Sequence, residues 1–531
     1  MTFPAFVSQS TPLAALPAHV HPWHPDLGDG SYANPVLHAD YSDPDVIRVG
    51  SEFWLTASSF TATPGLPILR STDLVNWTLV GHALCQVPDP SYAALRPGCG
   101  VWAPSIREHG GRFWIFFPLP DEGIFVTVAP HPAGPWSEPW LLQEAKGWID
   151  PCPFWDDDGN AWLFHAYANS RAGVRDRLHV RRMAPDASRL LGDGVEIVHA
   201  PHHPFLEGPK VHKRDGWYYV MAPGGGVPIG WQVAFRSRHI TGPYEEKIVL
   251  HRGSTAINGP HQGAFVDTPS GDWWFIHFQD LGPFGRVSHL QPVAWPSGHD
   301  WPRIGTAALD LAAPEPGEPV AWARNALLRP GALRIAPATS DSFDSARLGP
   351  QWQWNANHDP AWAELLGASD TVPSGLRLHA RPVPPSGLDY APHLLLQKFP
   401  ARAFTAIATL RASTCELAGL VLCGGGSHAS LMLRRDSFTG KRLVYQVGNE
   451  ILFERPLVGD IELRFRVQVC PDGGCQFLFA SSTSSNDLAG ALFVAIEPVF
   501  YARQGGWMGA KLGLFTGGKT GYADFASFIV L

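Results

Sequence analysis

A chain of 531 residues exceeds what one hydrophobic core ordinarily organises, so two domains are expected. The formal charge of −8 and the lack of any Lys/Arg run argue against nucleic acid or an anionic membrane as partner, and favour a neutral or weakly polar ligand. With 54 Gly, 50 Pro and 21 Trp but only 17% charged residues, the composition is that of an all-β chain, many short strands joined by tight turns.

Residues 1–29 read as an N-terminal extension. The opening MTFPAFVSQSTPLAALPAHV has no basic n-region and no long apolar h-region, and nowhere do 18 apolar residues run together. A cytoplasmic location without a membrane span is therefore expected. The seven cysteines are odd in number and lack metal-ligand spacing, which argues against a disulfide framework or a zinc site.

From 30 to 310 one pattern recurs five times. A polar or acidic residue stands near an X-Pro step, a few alternating residues follow, then a Gly turn and an aromatic-rich apolar run. The units are DPDVIRVGSEFWLTASS from Asp43, WAPSIREHGGRFWIFF from Trp102, DPCPFWDDDGNAWLFHAYA from Asp150, EGPKVHKRDGWYYVMA from Glu207 and GPHQGAFVDTPSGDWWFIHFQD from Gly259. Each reads as a hairpin turning at Gly50, Gly111, Gly159, Gly216 or Gly271. Starts on the order of 50 residues apart match a four-stranded blade, so a five-bladed β-propeller is expected. In a propeller the heads of the units converge on the central axis, which would bring Asp43, Asp150 and Glu207 into one funnel.

Residues 311–340, rich in Pro and Ala, read as a linker packed over the surface. From 341 to 531 the pattern becomes HLLLQKF, FTAIATLRA, GLVLCGG, ASLMLRR, KRLVYQV, IELRFRVQV and CQFLFASS, short alternating runs between turns, as in an antiparallel β-sandwich.

Hydrolysis of a glycosidic bond needs a protonated carboxylic acid at the leaving oxygen and a carboxylate on the opposite face. Asp43, Asp150 and Glu207 are candidates because each heads an apolar strand. Any one alone is better explained as a turn-former, but three in register are harder to explain that way. Trp102, heading the second unit, is either a stacking platform for a sugar or a packed core indole.

The stretch NPVLHADYSDPDVIRVGSEFWLTASSF, with GLPILRSTDLVNWTLVGHAL, GVWAPSI, GWIDPCPFWDDDG, FLEGPKV and GRVSHLQPVAW in order after it, resembles glycoside hydrolase family 43, a family of β-xylosidases and α-L-arabinofuranosidases. The resemblance implies a five-bladed propeller followed by a concanavalin-like β-sandwich. It also implies an inverting, exo-acting hydrolase that releases single pentoses from small hemicellulose-derived saccharides. Residue by residue, Asp43 becomes the general base, Glu207 the general acid, and Asp150 the third carboxylate that keeps Glu207 protonated and oriented. For inversion the two working carboxyls should stand roughly 6.5 to 9.5 Å apart, leaving room for water.

Arg286 then corresponds to an arginine that grips sugar hydroxyls, although an ion pair would equally explain it. Phe60 and Trp102 match the aromatic walls of the sugar pocket. Trp507, in GGWMGAKLG of the sandwich, matches a loop that reaches over the site. His261 matches an axial histidine beside a cation, commonly calcium; the alternative is a neutral histidine in a polar channel. No cofactor is required for the chemistry, a small oligosaccharide is the expected partner, and a homo-oligomer is left open. Two departures bear on specificity: Phe60-TATPG lacks the aromatics common there, and Gln262 stands where Gly is usual after the axial histidine. A glycoside phosphorylase on a related propeller, or a sugar-binding protein without catalysis, remain the alternatives.

Overall fold

The computed structural model describes residues 21–297, 301–367, 373–438, 440–459, 462–482 and 492–531. Most of the expected N-terminal extension, residues 1–20, lies outside them. Five four-stranded antiparallel sheets follow one another along the chain. Their first strands are Asp45–Val49, Ser105–His109, Trp148–Trp155, Lys210–Arg214 and His261–Asp267, and each touches the next in cyclic order until the fifth returns to the first. The chain is thus a closed five-bladed propeller, as the repeats imply.

The Gly-then-aromatic grammar has a direct structural cause. Each Gly supplies the turn of the first hairpin, and the aromatic run forms the second strand, Glu52–Thr56, Arg112–Leu119, Ala161–Tyr167, Trp217–Gly224 or Trp273–Asp280. These strands are buried on both faces between blades, so they read as nearly continuous apolar runs.

The ring is closed by segments outside the repeats. Ser31–Ala33 pairs with Trp322–Arg324, inside the stretch expected to be a mere connector, and the Tyr32 hydroxyl donates to Leu290 O in blade five at 2.8 Å. Arg48 of blade one also pairs with Asp267 of blade five at 2.7 Å. Residues 322–324 are therefore part of the propeller, because the closing sheet needs a second strand to satisfy the backbone of 31–33.

The second domain packs two seven-stranded antiparallel sheets face to face. In Glu462–Val469 the period of two is plain: Leu463, Phe465, Val467 and Val469 are buried, while the residues between them stay partly exposed. Burying a side chain such as Phe465 contributes about 1.5–3 kcal/mol. Each of the seven expected runs contributes a strand, HLLLQKF only through Leu395–Lys398 and IELRFRVQV through Glu462–Val469, residue 461 lying outside the described residues. The reading did not single out Tyr522–Val530, which lies between Gly375–His379 and Phe404–Ser413 in its sheet. Among the described residues no helix is long and apolar enough to cross a membrane, and all seven cysteines are free thiols.

The domains join close to the propeller mouth. Thr63 and Trp354 exchange two backbone hydrogen bonds of 3.0 and 2.6 Å, and Ala510 N–H donates to Pro283 O at 2.8 Å. Gly509 N–H donates to Asp40 Oδ2 at 2.9 Å, while Arg286 N–H donates to Asp40 Oδ1 at 2.9 Å. One buried carboxylate thus ties the sandwich loop to blade five. The approach requires Gly509, since a Cβ there would stand 2.5 Å from Gly285 N.

Candidate active site

Asp43, Asp150 and Glu207 line one cavity of about 530 Å³, together with Phe60, Trp102, Gln262, Arg286 and Trp507. The convergence expected from the repeat heads is met. Asp43 stands just before the first strand of blade one, Asp150 inside that of blade three beside a register shift, and Glu207 just before that of blade four.

Asp43 and Asp150 both sit in the left-handed region, with φ of 55° and 56°. Non-glycine residues enter it at a cost and persist there only when their surroundings hold them. For Asp43 the restraint is a set of donors: Ser42 Oγ at 2.7 Å and Ser58 Oγ at 2.5 Å on Oδ2, and the Arg286 guanidinium at 3.1 Å on Oδ1. Arg286 also donates to Ser42 Oγ at 2.9 Å, so the base candidate and the arginine form one buried unit. Arg286 is ion-paired and also lines the cavity, its guanidinium carbon 4.8 Å from the Phe278 ring centroid and 5.7 Å from that of Trp507.

Asp150 is fully enclosed, and its Oδ2 accepts from Gly208 N–H at 2.7 Å. Gly208 has φ 62°, and a Cβ there would meet Gln262 Cγ at 2.9 Å, so this bond needs glycine next to Glu207. Gln262 Nε2 lies 3.4 Å from the same Asp150 oxygen. Burial and then the Asp43 charge push the Asp150 carboxyl above the ordinary carboxylate range, against the opposing pull of Gly208 N–H, Lys210 and Gln262.

Glu207 differs from both. Its side chain keeps 28% exposure, and it lines the cavity. Burial, then the Asp150 and Asp43 charges, raise its pKa to about 8, while Arg286 and Gln262 act in the other direction. Two carboxyls in one cavity thus have opposite surroundings, one clasped by three donors and the other held protonated near neutrality. That asymmetry is what acid–base division of labour requires.

Phe60 (φ 52°) holds its place through paired backbone bonds of 2.9 Å with Val101, and Trp102 lies under the Arg171 guanidinium at 5.1 Å. Trp507 arrives from the sandwich domain, half exposed at φ 74°. Phe60, Trp102 and Trp507 thus all line the cavity that holds the three acids.

His261 is buried with its Nε2 3.6 Å from Glu207 Oε1, and neither ring nitrogen has a hydrogen-bond partner. Burial and the nearby Arg286 charge lower its pKa to about 3, so it is neutral. Calcium takes six to eight oxygen ligands. The Glu207 carboxylate stands beside the His261 ring as an oxygen donor, and waters, which also ligate calcium, would complete such a set.

Among the described residues one His/Cys/Asp/Glu trio has metal-like spacing, His202, His203 and Glu246. Trp231 Nε1–H donates to His203 Nδ1 at 3.1 Å, so the neutral ring carries its proton on Nε2, the atom facing Glu246, and is not free to ligate.

Ser42, Ser58, Phe205 and Ile229 escaped sequence reasoning, because isolated serines and a rim phenylalanine carry no spacing signal. Gln262 had one, its departure from the usual glycine.

The sequence profile described as "Glycosyl hydrolases family 43" matches residues 32–302, and that described as "Beta xylosidase C-terminal Concanavalin A-like domain" matches 340–530. A beta-xylosidase of Formosa agariphila is 30% identical over 92% of this chain and 88% of its own length. A Xylanibacter ruminicola protein with a provisional beta-xylosidase name is 44% identical over 62% of this chain, which spans 60% of that relative's length. A non-reducing end alpha-L-arabinofuranosidase of Bacteroides ovatus is 30% identical over 52% of the chain and 54% of its own length. In fold alone, the xylan beta-1,4-xylosidase structure from Bacillus halodurans superposes with a TM-score of 0.79 at 23% identity, covering 94% of this chain and 99% of that one. With a propeller whose three acids share one cavity and a sandwich that lends it a tryptophan, and with both domains matched over nearly their whole length, this chain belongs to glycosyl hydrolases family 43.

Proposed function

We propose that the protein is an exo-acting, inverting glycoside hydrolase that releases single pentoses, β-D-xylose or α-L-arabinofuranose, from small hemicellulose-derived saccharides. The observation that carries this reading is the contrast between Asp43 and Glu207 in one cavity. Asp43 accepts a proton from a water whose oxygen attacks the anomeric carbon. Glu207 gives its proton to the departing glycosidic oxygen as that bond breaks, so charge never accumulates on either oxygen. Arg286 and the two serines hold Asp43 in line, and Asp150 keeps Glu207 protonated. No covalent intermediate and no cofactor enter the scheme. The relatives' names include both pentoses, and parallel rates on aryl β-xylopyranoside and aryl α-L-arabinofuranoside decide between them.

A phosphorylase would need several cations to hold phosphate. Arg286 is the one cation among the described lining residues, and Asp43 already engages it. A binding protein without catalysis would not need three carboxyls sharing one cavity, two of them raised by burial and by their neighbours' charge.

The direct test is proton NMR of the first-formed sugar. Released pentose should appear first as the anomer opposite to that of the substrate; retention would overturn the assignment of Asp43 as a base acting on water.

A second expected result concerns Asp150→Asn, which keeps an acceptor for Gly208 N–H but removes the charge. The Asp150 charge raises the Glu207 pKa, so its loss lowers that pKa and Glu207 gives up its proton at lower pH. The alkaline limb of the kcat/KM profile, expected near pH 8 in the natural protein, should therefore move to lower pH. A limb that stays or moves up would reduce Asp150 to a turn residue.

A further inference from the structure

The walls of the cavity differ in character, and the difference bears on the half of the substrate that leaves. The floor is polar and closed, with Asp43, Asp150, Gln262 and Arg286 all buried. At the mouth three large apolar side chains also line the cavity yet stand open to solvent, Phe205 at 51%, Ile229 at 64% and Trp507 at 50% exposed. Exposed apolar surface that continues a polar cavity marks a place where a ligand completes the burial.

Phe205 is held there rather than merely left there. It lies two residues before Glu207 at φ 60°, an unfavourable conformation for an aromatic residue, and its N–H donates to Asp176 Oδ1 at 2.5 Å. Asp176 is in turn paired with Arg175 at 3.3 Å, whose guanidinium lies 5.7 Å from the Phe205 ring centroid. On the other side Gly225 N–H donates to Pro204 O at 2.6 Å, which binds the loop carrying Ile229 to the segment carrying Phe205. The ring also packs beside Gly226, where a Cβ would be in ordinary contact at 3.4 Å.

The following rests on the reading of Glu207 as the acid. The oxygen it protonates belongs to the leaving group, so that group begins at the Glu207 carboxyl. Toward the buried side the Glu207 carboxyl faces the His261 ring, 3.6 Å away. The open direction is the mouth, and of the apolar residues there Phe205 lies two positions from Glu207 in the chain, with the Ile229 loop bound to its segment. We infer that Phe205, with Ile229 beside it, forms the leaving-group subsite, an apolar platform on which the departing sugar ring lies by its C–H face.

Phe205 and Ile229 themselves present no hydrogen-bond donor or acceptor, which leaves the Arg175 guanidinium beside the Phe205 ring as the polar group at the platform. The subsite therefore takes an uncharged pyranose, or an aromatic aglycone, and discriminates weakly between leaving sugars. Recognition of the released pentose stays with the polar floor.

The test compares Phe205→Ala and Ile229→Ser with the natural protein on three ligands. These are the disaccharide of whichever pentose it cleaves, the methyl glycoside of that pentose, and the free pentose as a competitive inhibitor. The expected result for Phe205→Ala is a kcat/KM for the disaccharide lowered about fivefold to tenfold, carried mainly by KM, as for loss of one aromatic contact. Ile229→Ser should give a smaller loss of the same kind. The methyl glycoside, which has no ring to place on the platform, and the inhibition constant of the free pentose should change by less than about twofold. Equal loss on methyl glycoside and disaccharide, a pentose inhibition constant that rises in parallel, or an unchanged disaccharide KM would each overturn the proposal. A natural protein inert toward every pentoside would instead overturn the hydrolase reading itself, so the two failures are distinguishable.

Discussion

Replacing Glu207 by Gln is expected to lower kcat/KM on a pentose disaccharide by roughly 10²–10⁴-fold, the usual contribution of a general acid. That corresponds to about 3–5 kcal/mol of transition-state stabilisation. On a dinitrophenyl pentoside, whose leaving group departs as a stable anion, the loss should be at most about tenfold, because protonation of that oxygen no longer limits the rate. Two further signs belong to the same cause. The alkaline limb tied to a group with pKa about 8 should disappear on the activated substrate, and the free-pentose inhibition constant should stay close to the natural value. Glutamine preserves the shape of a side chain that lines the cavity and touches His261 at 3.6 Å. Kinetics on a graded series of aryl pentosides check this. Equal losses on all of them would remove Glu207 from the acid role.

Asp43 should behave in the opposite way. Without it no group takes the proton from attacking water, so Asp43→Ala is expected to lose roughly 10³–10⁴-fold or more whatever the leaving group. A small anion needs no deprotonation and can attack from the vacated face. Azide should therefore restore part of the rate and yield a glycosyl azide of inverted configuration, identifiable by NMR. The substitution also leaves the buried Arg286 guanidinium without its partner, and breaking a buried pair of this kind costs about 3–5 kcal/mol. Asp43→Asn retains an acceptor for Arg286 and separates lost catalysis from lost stability: its melting temperature should lie nearer the natural value while its activity falls as far. Losses that scale with the leaving group, or an azide product of retained configuration, would show that Asp43 is not the base.

Much of the architecture was legible because it repeats. A head residue, a Gly turn and an aromatic run recur in all five blades, since every blade solves the same problem of burying a strand on both faces. The three acids were legible for the same reason: register within the repeat places them at equivalent points around one axis. The closing strand Trp322–Arg324 was not legible, because its partner Ser31–Ala33 lies nearly three hundred residues away and neither segment alternates clearly. Tyr522–Val530 was missed although it is central to its sheet, for both of its partners are distant in sequence.

By itself, then, the sequence determined the blade count, the sandwich and the convergence of three carboxyls on one cavity, because local periodicity and turn chemistry reach that far. How each carboxyl is surrounded was decided only by the tertiary structure. Asp43 and Asp150 carry the same Asp-Pro signal and nearly the same φ, yet Ser58 and Arg286 arrive at one and Gly208 and Gln262 at the other. The same holds for the second domain's part in the site. The bond from Gly509 to Asp40 joins residues 469 positions apart, and the contact of Trp507 with Arg286 follows from it. Electrostatics and hydrogen bonding depend on distances of a few ångströms, which are set by where separate blades and domains meet and are invisible in any single segment.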